Sequence, residues 1–292
     1  MIKSHTAKLN EIPLHYAEAP GPGPALVILH GLSGSHAEFL PLVPALAAQA
    51  HVYVLDLRGH GLSGRGEAGA YHLADYGRDV AAFLRQEVGE PAVLLGHSLG
   101  GLVAIWLGAH APELVRGLVL SDPALYIIQM PRFGQTDFYP YFSHLRAYLS
   151  HYHANGASVE DLTTDLGQTP VSEEQTWLDV AGPDPVRERA IQLDQFDPAA
   201  LTPALAGTLL QGHEPDDLLV QIRCPVHLIA ARAVQGGAME ADDVRRAVSK
   251  LPHCTHTVIE NAGHDIHLDQ PEAFKRILKR FLVDLADRSH SN

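Results

Sequence analysis

The chain has 292 residues, of which 46% are hydrophobic, and a formal net charge of −13 at pH 7. This length suits one large α/β domain or two small ones, and the hydrophobic share is ample for a globular core. The negative charge argues against nucleic acid and anionic membranes as partners, because both would repel the chain.

Cysteine usage and the N-terminus bear on the cellular compartment. Cys224 and Cys254 are the two cysteines of the sequence and have no motif spacing, so they fit a reducing cytosol rather than a disulfide framework. Residues 1–6 lack an apolar signal-peptide core, and no apolar run reaches the length of a membrane span. The nineteen histidines are scattered without metal-ligand spacing. We therefore predict a cytoplasmic protein with a small-molecule substrate and no metal.

Short apolar runs alternate with helical patterns along the chain. Each run is continuous and rich in β-forming residues, as expected for parallel strands covered on both faces. The strand candidates are 25–29, 51–55, 92–95, 115–122, 226–230 and 256–259, and the helix candidates are 38–49, 73–87, 101–111, 241–251 and 271–285. This alternation predicts an α/β fold with a doubly wound, mostly parallel sheet.

One segment, from about Leu125 to Leu218, breaks the alternation. It has no convincing strand and carries tyrosines and a proline-rich stretch. A structureless loop of this length is improbable, so we predict a helical insertion. Because it leaves the sheet after the carboxyl end of a strand, the insertion should lie over the ligand crevice.

Residues 93–101, Val-Leu-Leu-Gly-His-Ser-Leu-Gly-Gly, are the most informative stretch. An apolar strand candidate meets a turn with Ser98 at its apex, and an alanine-rich helical pattern follows until Pro112. Gly96 and Gly100 leave the room that a sharp strand-to-helix turn needs. The bare motif is common, but its position between strand and helix predicts that Ser98 is a nucleophile for acyl transfer.

Acyl transfer by a serine also requires a base and an acid that orients it. His264 follows the last strand candidate, and Gly263 before it permits the tight loop that projects the imidazole. His267 competes, but it lies three residues on, toward the final helix. We favour His264 as the base.

The negative oxygen that forms during acyl transfer needs two backbone N–H donors. One comes from the residue after the nucleophile, here Leu99. The other comes from the loop after an early strand, here His30 to Gly34, in which we choose Leu32.

Four segments together resemble the signature segments of the α/β-hydrolase fold superfamily. They are His30-Gly31, residues 56–63, residues 96–101 and Gly263-His264, in the expected order. The similarity runs from about Leu9 to Leu285 and is to the lid-bearing branch of small esterases, lactonases, carbon–carbon bond hydrolases and cofactor-free haloperoxidases. It implies a hydrolase core at 1–124 and 216–292, a helical cap at 125–215, and neither metal nor organic cofactor.

The acid is absent from the position where the family usually has it. After the strand candidate 226–230 the sequence has Arg232 at about the place of the expected aspartate. We favour Asp122, which follows a neighbouring strand candidate and keeps the order serine, acid, histidine, although an Asp-Pro pair is also a common turn initiator. Glu240 or Asp242, or no acid at all, remain alternatives. Arg232 beside Asp122 would pair with its carboxylate.

We therefore predict a serine hydrolase for a small, mostly apolar ester, thioester or lactone. The expected substrate-binding residues are His36, Phe39, Tyr126, Tyr139 and Arg232. A serine rather than an aspartate at the turn apex disfavours epoxide hydrolysis and dehalogenation. One alternative is a carbon–carbon bond hydrolase or perhydrolase on the same triad. Another is a weakly catalytic or non-catalytic ligand-binding protein on the same scaffold, which the missing acid favours.

Overall fold

The computed structural model describes residues 1–9, 12–67 and 69–289. Within these residues, eight strands form one sheet in the order β1-β2-β4-β3-β5-β6-β7-β8. The strands are β1 (Lys3–Leu9), β2 (Ile12–Ala19), β3 (Ala25–Leu29), β4 (His51–Leu55), β5 (Ala92–His97), β6 (Val115–Ser121), β7 (Val226–Ala231) and β8 (Cys254–Ile259). The strands from β3 to β8 pair in parallel, whereas β2 pairs antiparallel with both β1 and β4.

The expected mostly parallel α/β sheet is confirmed, and two antiparallel strands extend it at one edge. β1 and β2 were not among the strand candidates. Only two residues of β1 are buried, Ala7 and Leu9, so the strand has no continuous apolar run. β2 is mostly buried, but Pro13, His15 and Glu18 interrupt its apolar run. Neither strand therefore has the continuous apolar run that is typical of a central parallel strand.

Helices connect the strands and cover the sheet. They are α1 (Val43–Leu46), α2 (Leu73–Phe83), α3 (Leu99–His110), α4 (Phe138–Ala154), α5 (Val159–Gly167), α6 (Trp177–Ala181), α7 (Pro183–Gln195), α8 (Thr202–Leu205), α9 (Pro215–Leu219), α10 (Ala241–Lys250), α11 (Ile266–Asp269) and α12 (Pro271–Ser289). The helix expected over 38–49 is instead a 3₁₀ stretch, His36–Leu42, followed by the short α1. Pro41 lies within that stretch, where its missing N–H and fixed ring disfavour a continuous α-helix.

The core lies on both faces of the sheet, because side chains alternate along each central strand. In β5, Leu94 belongs to the hydrophobic cluster that includes α3, and Leu95 belongs to the cluster that includes Phe274 of α12. Both leucines are fully buried. The sheet is therefore a rigid platform whose carboxyl edge can hold catalytic loops in fixed positions.

The segment between β6 and β7 carries α4 to α9, and its described β-structure is an isolated bridge between Pro170 and Thr176. Its division from the core at residues 125–215 stays a prediction. In the described part of the chain, no helix combines the length and apolar character required to cross a membrane.

Candidate active site

Ser98 stands between the last residue of β5 and the first residue of α3. Its backbone has φ 50° and ψ −112°, a conformation that residues other than glycine rarely adopt. The surrounding backbone holds it there, because Ser98 N–H donates to Ser121 O over 3.0 Å and Gly100 N–H donates to His30 O over 3.1 Å. The serine is therefore presented on a strained turn that neighbouring strands keep in place.

The two glycines of the turn are required by space. A Cβ atom on Gly96 would collide with the carbonyl oxygen of Gly100, and one on Gly100 would collide with the carbonyl oxygen of Leu29. Both obstacles are backbone atoms and cannot rotate away. Glycine is therefore required at positions 96 and 100, as the sequence motif indicated, because any side chain there would collide with the backbone.

His264 and Asp122 lie together at the carboxyl edge of the sheet. His264 Nδ1 is 2.7 Å from Asp122 Oδ2, and the Asp122 side chain is fully buried. The same carboxylate accepts from the backbone N–H of Ala231 over 3.2 Å and of Ala238 over 2.7 Å. These donors hold the carboxylate in one orientation, which in turn fixes the imidazole.

The charge of Asp122 also sets the proton affinity of His264. Burial lowers the pKa of His264, but the hydrogen bond and the negative charge of Asp122 outweigh it, so the pKa is raised above its ordinary value of 6.5. Because Nδ1–H points at the carboxylate, Nε2 of the neutral imidazole is left free to accept a proton.

The other candidate acids lie elsewhere. Glu240 is the N-cap of α10, and Asp242 forms an exposed ion pair with Arg245. Arg232 does not pair with Asp122, because its guanidinium lies 2.8 Å from Glu260 Oε2. Among these carboxylates, Asp122 is the one that the structure hydrogen-bonds to His264.

His267, the competing histidine, is separated from this pair. Its ring stacks on Phe39 at a centroid distance of 4.2 Å, and its Nε2 is 3.8 Å from Glu38 Oε2. Among the described residues, neither ring nitrogen of His267 finds a hydrogen-bond partner. Its ring thus packs against Phe39 and does not join Asp122 and His264.

Ser98 and His264 open onto one cavity that is partly open to solvent. The rest of the lining is apolar and consists of Leu32, Leu99, Leu102, Ala124, Ile127, Ile128, Phe133, Phe138, Phe142, Leu209 and Ala238. Phe138, on α4, packs edge-on against the His264 ring at a centroid distance of 5.3 Å. The segment between β6 and β7 thus supplies much of the apolar wall that faces the two polar side chains.

Leu32 and Leu99 also border this cavity. Leu99 is the first residue of α3, so its backbone N–H has no acceptor inside the helix. The peptide that carries Leu32 N–H is fixed at its other end, where Gly31 O accepts from His30 Nδ1 over 2.8 Å and from Gly34 N–H over 3.1 Å.

A family model matches most of the sequence. The model of the alpha/beta hydrolase family aligns with residues 26–277. The chain belongs to this family. It is a hydrolase enzyme, and the resemblance drawn from its four motifs is confirmed.

Two curated relatives carry names of different reactions. This hydrolase is 36% identical over 124 residues to 2-(acetamidomethylene)succinate hydrolase of Mesorhizobium japonicum, a match that covers 42% of this chain and only 44% of that relative. It is 30% identical over 275 residues to pimeloyl-(acyl-carrier protein) methyl ester esterase of Xanthomonas axonopodis pv. citri, with 91% and 97% of the two chains covered. The esterase is therefore matched along nearly its whole length.

A solved structure shows the same fold. The enol-lactonase from Burkholderia xenovorans LB400 is similar to this hydrolase with a TM-score of 0.71 and 18% identity, and 96% and 100% of the two chains are covered. At this identity the likeness concerns the fold.

The five expected substrate-binding residues of this hydrolase are not among those that line the cavity. His36 bonds to Asp56, Phe39 stacks on His267, and Arg232 pairs with Glu260. Tyr126 donates its hydroxyl to Asp216, and Tyr139 packs against Phe133.

The phenylalanines of the lining were not among the expected substrate-binding residues. Tyr126 and Tyr139 of the segment after β6 were expected there, whereas the structure places Phe133, Phe138 and Phe142 at the cavity. Phe138 and Phe142 are four residues apart on α4 and therefore share one helix face, which is the signal that could have identified them.

Two clusters of described residues bring metal-ligating groups close together. In the first, the buried carboxylate of Asp56 accepts from His15 Nδ1, His36 Nδ1 and the backbone N–H groups of His36 and Leu62. These donors hold the pKa of Asp56 well below its usual range despite burial. The cluster is explained by hydrogen bonds that fix the loop after β4.

The second cluster joins His97, Asp265 and His267 next to the base loop. His97 Nε2–H donates to the carbonyl oxygen of His264 over 3.1 Å. This bond ties the residue before Ser98 to the backbone of the base, so His97 already has a structural partner.

Proposed function

We propose that this alpha/beta hydrolase is a serine hydrolase that cleaves small, mostly apolar esters, thioesters or lactones through an acyl-enzyme on Ser98. The observation that carries the proposal is the link from buried Asp122 to His264, which shares one apolar cavity with Ser98. Nucleophile, base and orienting acid are the three parts that acyl transfer by a serine requires.

The first half of the reaction acylates the enzyme. His264 Nε2 takes the proton of Ser98 Oγ while the oxygen attacks the substrate carbonyl carbon. The carbonyl oxygen becomes negative and accepts from the backbone N–H groups of Leu32 and Leu99. The protonated His264, stabilised by Asp122, then donates its proton to the leaving alcohol, thiol or lactone oxygen.

The second half releases the acyl group. His264 removes a proton from a water molecule, which attacks the acyl carbonyl, and the same two N–H groups hold the negative oxygen. Collapse of this intermediate breaks the bond to Ser98 Oγ, which recovers its proton from His264. No step needs a metal or an organic cofactor.

The lining of the cavity supports the substrate class. Apart from Ser98 and His264 it presents aliphatic and aromatic side chains, which gain free energy from covering apolar substrate surface. A nearly full-length relative is named for the hydrolysis of a methyl ester, which agrees with ester chemistry at this site.

A non-catalytic binding protein was the alternative that the absence of an acid directly after β7 favoured. Asp122, at the end of β6, hydrogen-bonds to His264 in its place, and Ala231 and Ala238 donate to the carboxylate. The absence of an acid directly after β7 therefore no longer favours a non-catalytic binding protein.

The test compares Ser98→Ala and His264→Ala with wild type in the hydrolysis of p-nitrophenyl butyrate. We expect both variants to lose activity by several powers of ten, about the loss seen when a triad member is removed. His256→Ala, an exposed histidine on β8, is the matched control and should keep wild-type activity. Wild-type turnover by Ser98→Ala would disprove the proposal.

A further inference from the structure

Arg189, in the middle of α7, reaches from the segment after β6 to the loop after β3. Its Nη1 donates to Ser33 O over 2.7 Å, and its Nη2 donates to Ser33 Oγ over 2.9 Å. The guanidinium thus binds one residue through two parallel donors, an arrangement that fixes orientation as well as distance. Gln192 Oε1 and Tyr141 Oη, each 3.3 Å away, flank the same guanidinium.

Ser33 adopts a conformation that is costly for a residue with a side chain. Its φ is 63°, in the left-handed region, and it is 3% exposed. Such a conformation is unfavourable for a residue with a Cβ atom and persists only where the surroundings hold it. The bonds from Arg189 to both oxygens of Ser33 are among the contacts that hold this conformation.

His60 holds Ser33 from the side of the core. Ser33 N–H donates to His60 Nε2 over 3.2 Å, and His60 Nδ1–H donates to Arg58 O over 2.7 Å. Burial lowers the pKa of His60 to about 3, with further lowering by His30, so the ring stays neutral and Nε2 remains an acceptor. Ser33 is therefore bound at its N–H by the core and at its oxygens by α7.

Leu32 precedes Ser33 directly, and Gly34 after it donates to Gly31 O. A rotation of the Ser33 backbone would move Gly34 N–H away from Gly31 O, which belongs to the peptide that carries Leu32 N–H, and would so remove one of the two bonds that hold that peptide. Donors to a developing negative oxygen act only within a narrow range of distances, about 2.7–3.1 Å. The backbone conformation of Ser33 therefore affects whether Leu32 N–H can donate to the developing negative oxygen.

We propose that Arg189 is a positioning residue for the oxyanion hole, the pair of backbone N–H donors from Leu32 and Leu99. By holding both oxygens of Ser33, Arg189 keeps Leu32 N–H directed at the substrate oxygen. The proposal rests on the proposed function, since it assigns Arg189 a role in acyl transfer at Ser98. It also makes the oxyanion hole depend on α7, because displacement of this helix would break both bonds to Ser33.

The test measures kcat and KM for Arg189→Gln, Arg189→Lys and a control, Arg187→Gln. Arg187 lies on the same helix and forms an exposed ion pair with Glu160, 3.6 Å away. We expect Arg189→Gln to lower kcat about ten- to a hundredfold with little change in KM, because a displaced donor acts mainly in the transition state. Arg189→Lys keeps the charge but not the two parallel donors, so its kcat should recover only in part. Arg187→Gln should match wild type.

A trifluoromethyl ketone supplies a readout that loss of folding would not mimic. It adds to Ser98 and forms an oxyanion that resembles the intermediate, so its inhibition constant should rise by the factor by which kcat/KM falls. Thermal unfolding of each variant, followed alongside, shows whether the fold is kept.

Ser33→Ala completes the design as a double-mutant cycle. Ser33→Ala removes the hydroxyl that accepts from Arg189 Nη2. The factor by which it lowers kcat should therefore be smaller in the Arg189→Gln background than in wild type. Unchanged kcat in Arg189→Gln, a change confined to KM, or fully additive effects would each overturn the proposal. Failure of the proposed function would show itself separately, as turnover that persists without Ser98.

Discussion

At the scale of single residues, Asp122 shows which part of the site can be predicted from the sequence. Its place after a strand candidate and its order between Ser98 and His264 made it the favoured acid, but two other carboxylates remained open. In the structure Asp122 is the one of these three carboxylates that hydrogen-bonds to His264, 142 residues away, and Ala231 and Ala238 donate to it from 109 and 116 residues away. Such contacts depend on the packing of three strands and leave no local pattern in the sequence.

Asp122→Asn tests this assignment. An amide cannot stabilise the protonated imidazole, so kcat/KM should fall about 10⁴-fold, as in other enzymes with this triad. Catalysis needs neutral His264, whose pKa Asp122 raises above 6.5, so wild-type activity should decline as the pH falls through that raised value. In Asp122→Asn the decline should move to lower pH.

The control for this experiment is Glu240→Gln, which alters the N-cap of α10 and should leave the pH profile in place. A pH–rate profile from pH 5 to 9 for the three proteins checks the expectation. An acid limb that stays at the same pH in Asp122→Asn would contradict the role of this carboxylate.

At the scale of elements, the sequence predicts best where one physical signal dominates. The central strands were found because burial on both faces demands continuous apolar runs, and the serine turn was found because its glycines have a steric reason. β1 was missed because one of its faces is exposed, and β2 because Pro13, His15 and Glu18 interrupt its apolar run although most of the strand is buried. The helix at 38–49 was overestimated because Pro41 interrupts it.

Gly100→Ala tests the steric reason for the turn. The new methyl group would collide with the carbonyl oxygen of Leu29, so β3 and α3 would have to move apart. We expect a loss of about 1–3 kcal/mol in the free energy of unfolding, typical of overpacked sites. Urea denaturation followed by circular dichroism measures it.

Gly167→Ala is the matched control, because Gly167 is the last residue of α5 and a methyl group there would make only ordinary contacts with Leu178 and Val186. Alanine favours helices over glycine, so the control should be neutral or slightly stabilising. Equal stability of Gly100→Ala and wild type would show that the turn does not need this glycine.

At the scale of the whole molecule, the cavity exists only where two parts of the chain meet. The strand ends of the sheet supply Ser98 and His264, and α4 supplies Phe138 and Phe142. The sequence indicated a helical segment over the crevice, but which side chains face inward depends on how that segment packs. Tyrosines were therefore chosen where phenylalanines line the wall.

An apolar wall predicts how rate depends on acyl chain length. Each buried CH₂ gains about 0.8 kcal/mol, so kcat/KM for p-nitrophenyl esters should rise about fourfold per added CH₂ until the cavity is full. Phe142→Ala enlarges the cavity and should shift the preferred chain to longer acyl groups. Tyr148→Ala, on the same helix with its hydroxyl on Asp165, should keep the wild-type preference. A rate independent of chain length would argue against binding of the acyl group in this cavity.

Intact-mass spectrometry after rapid acid quench can detect the acyl-enzyme on Ser98. With p-nitrophenyl butyrate in excess, we expect an enzyme heavier by one butyryl group, with the modification mapped to Ser98 by peptide sequencing. The adduct should be absent from Ser98→Ala and should form far more slowly in His264→Ala. An adduct on another residue, with activity kept in Ser98→Ala, would contradict this expectation.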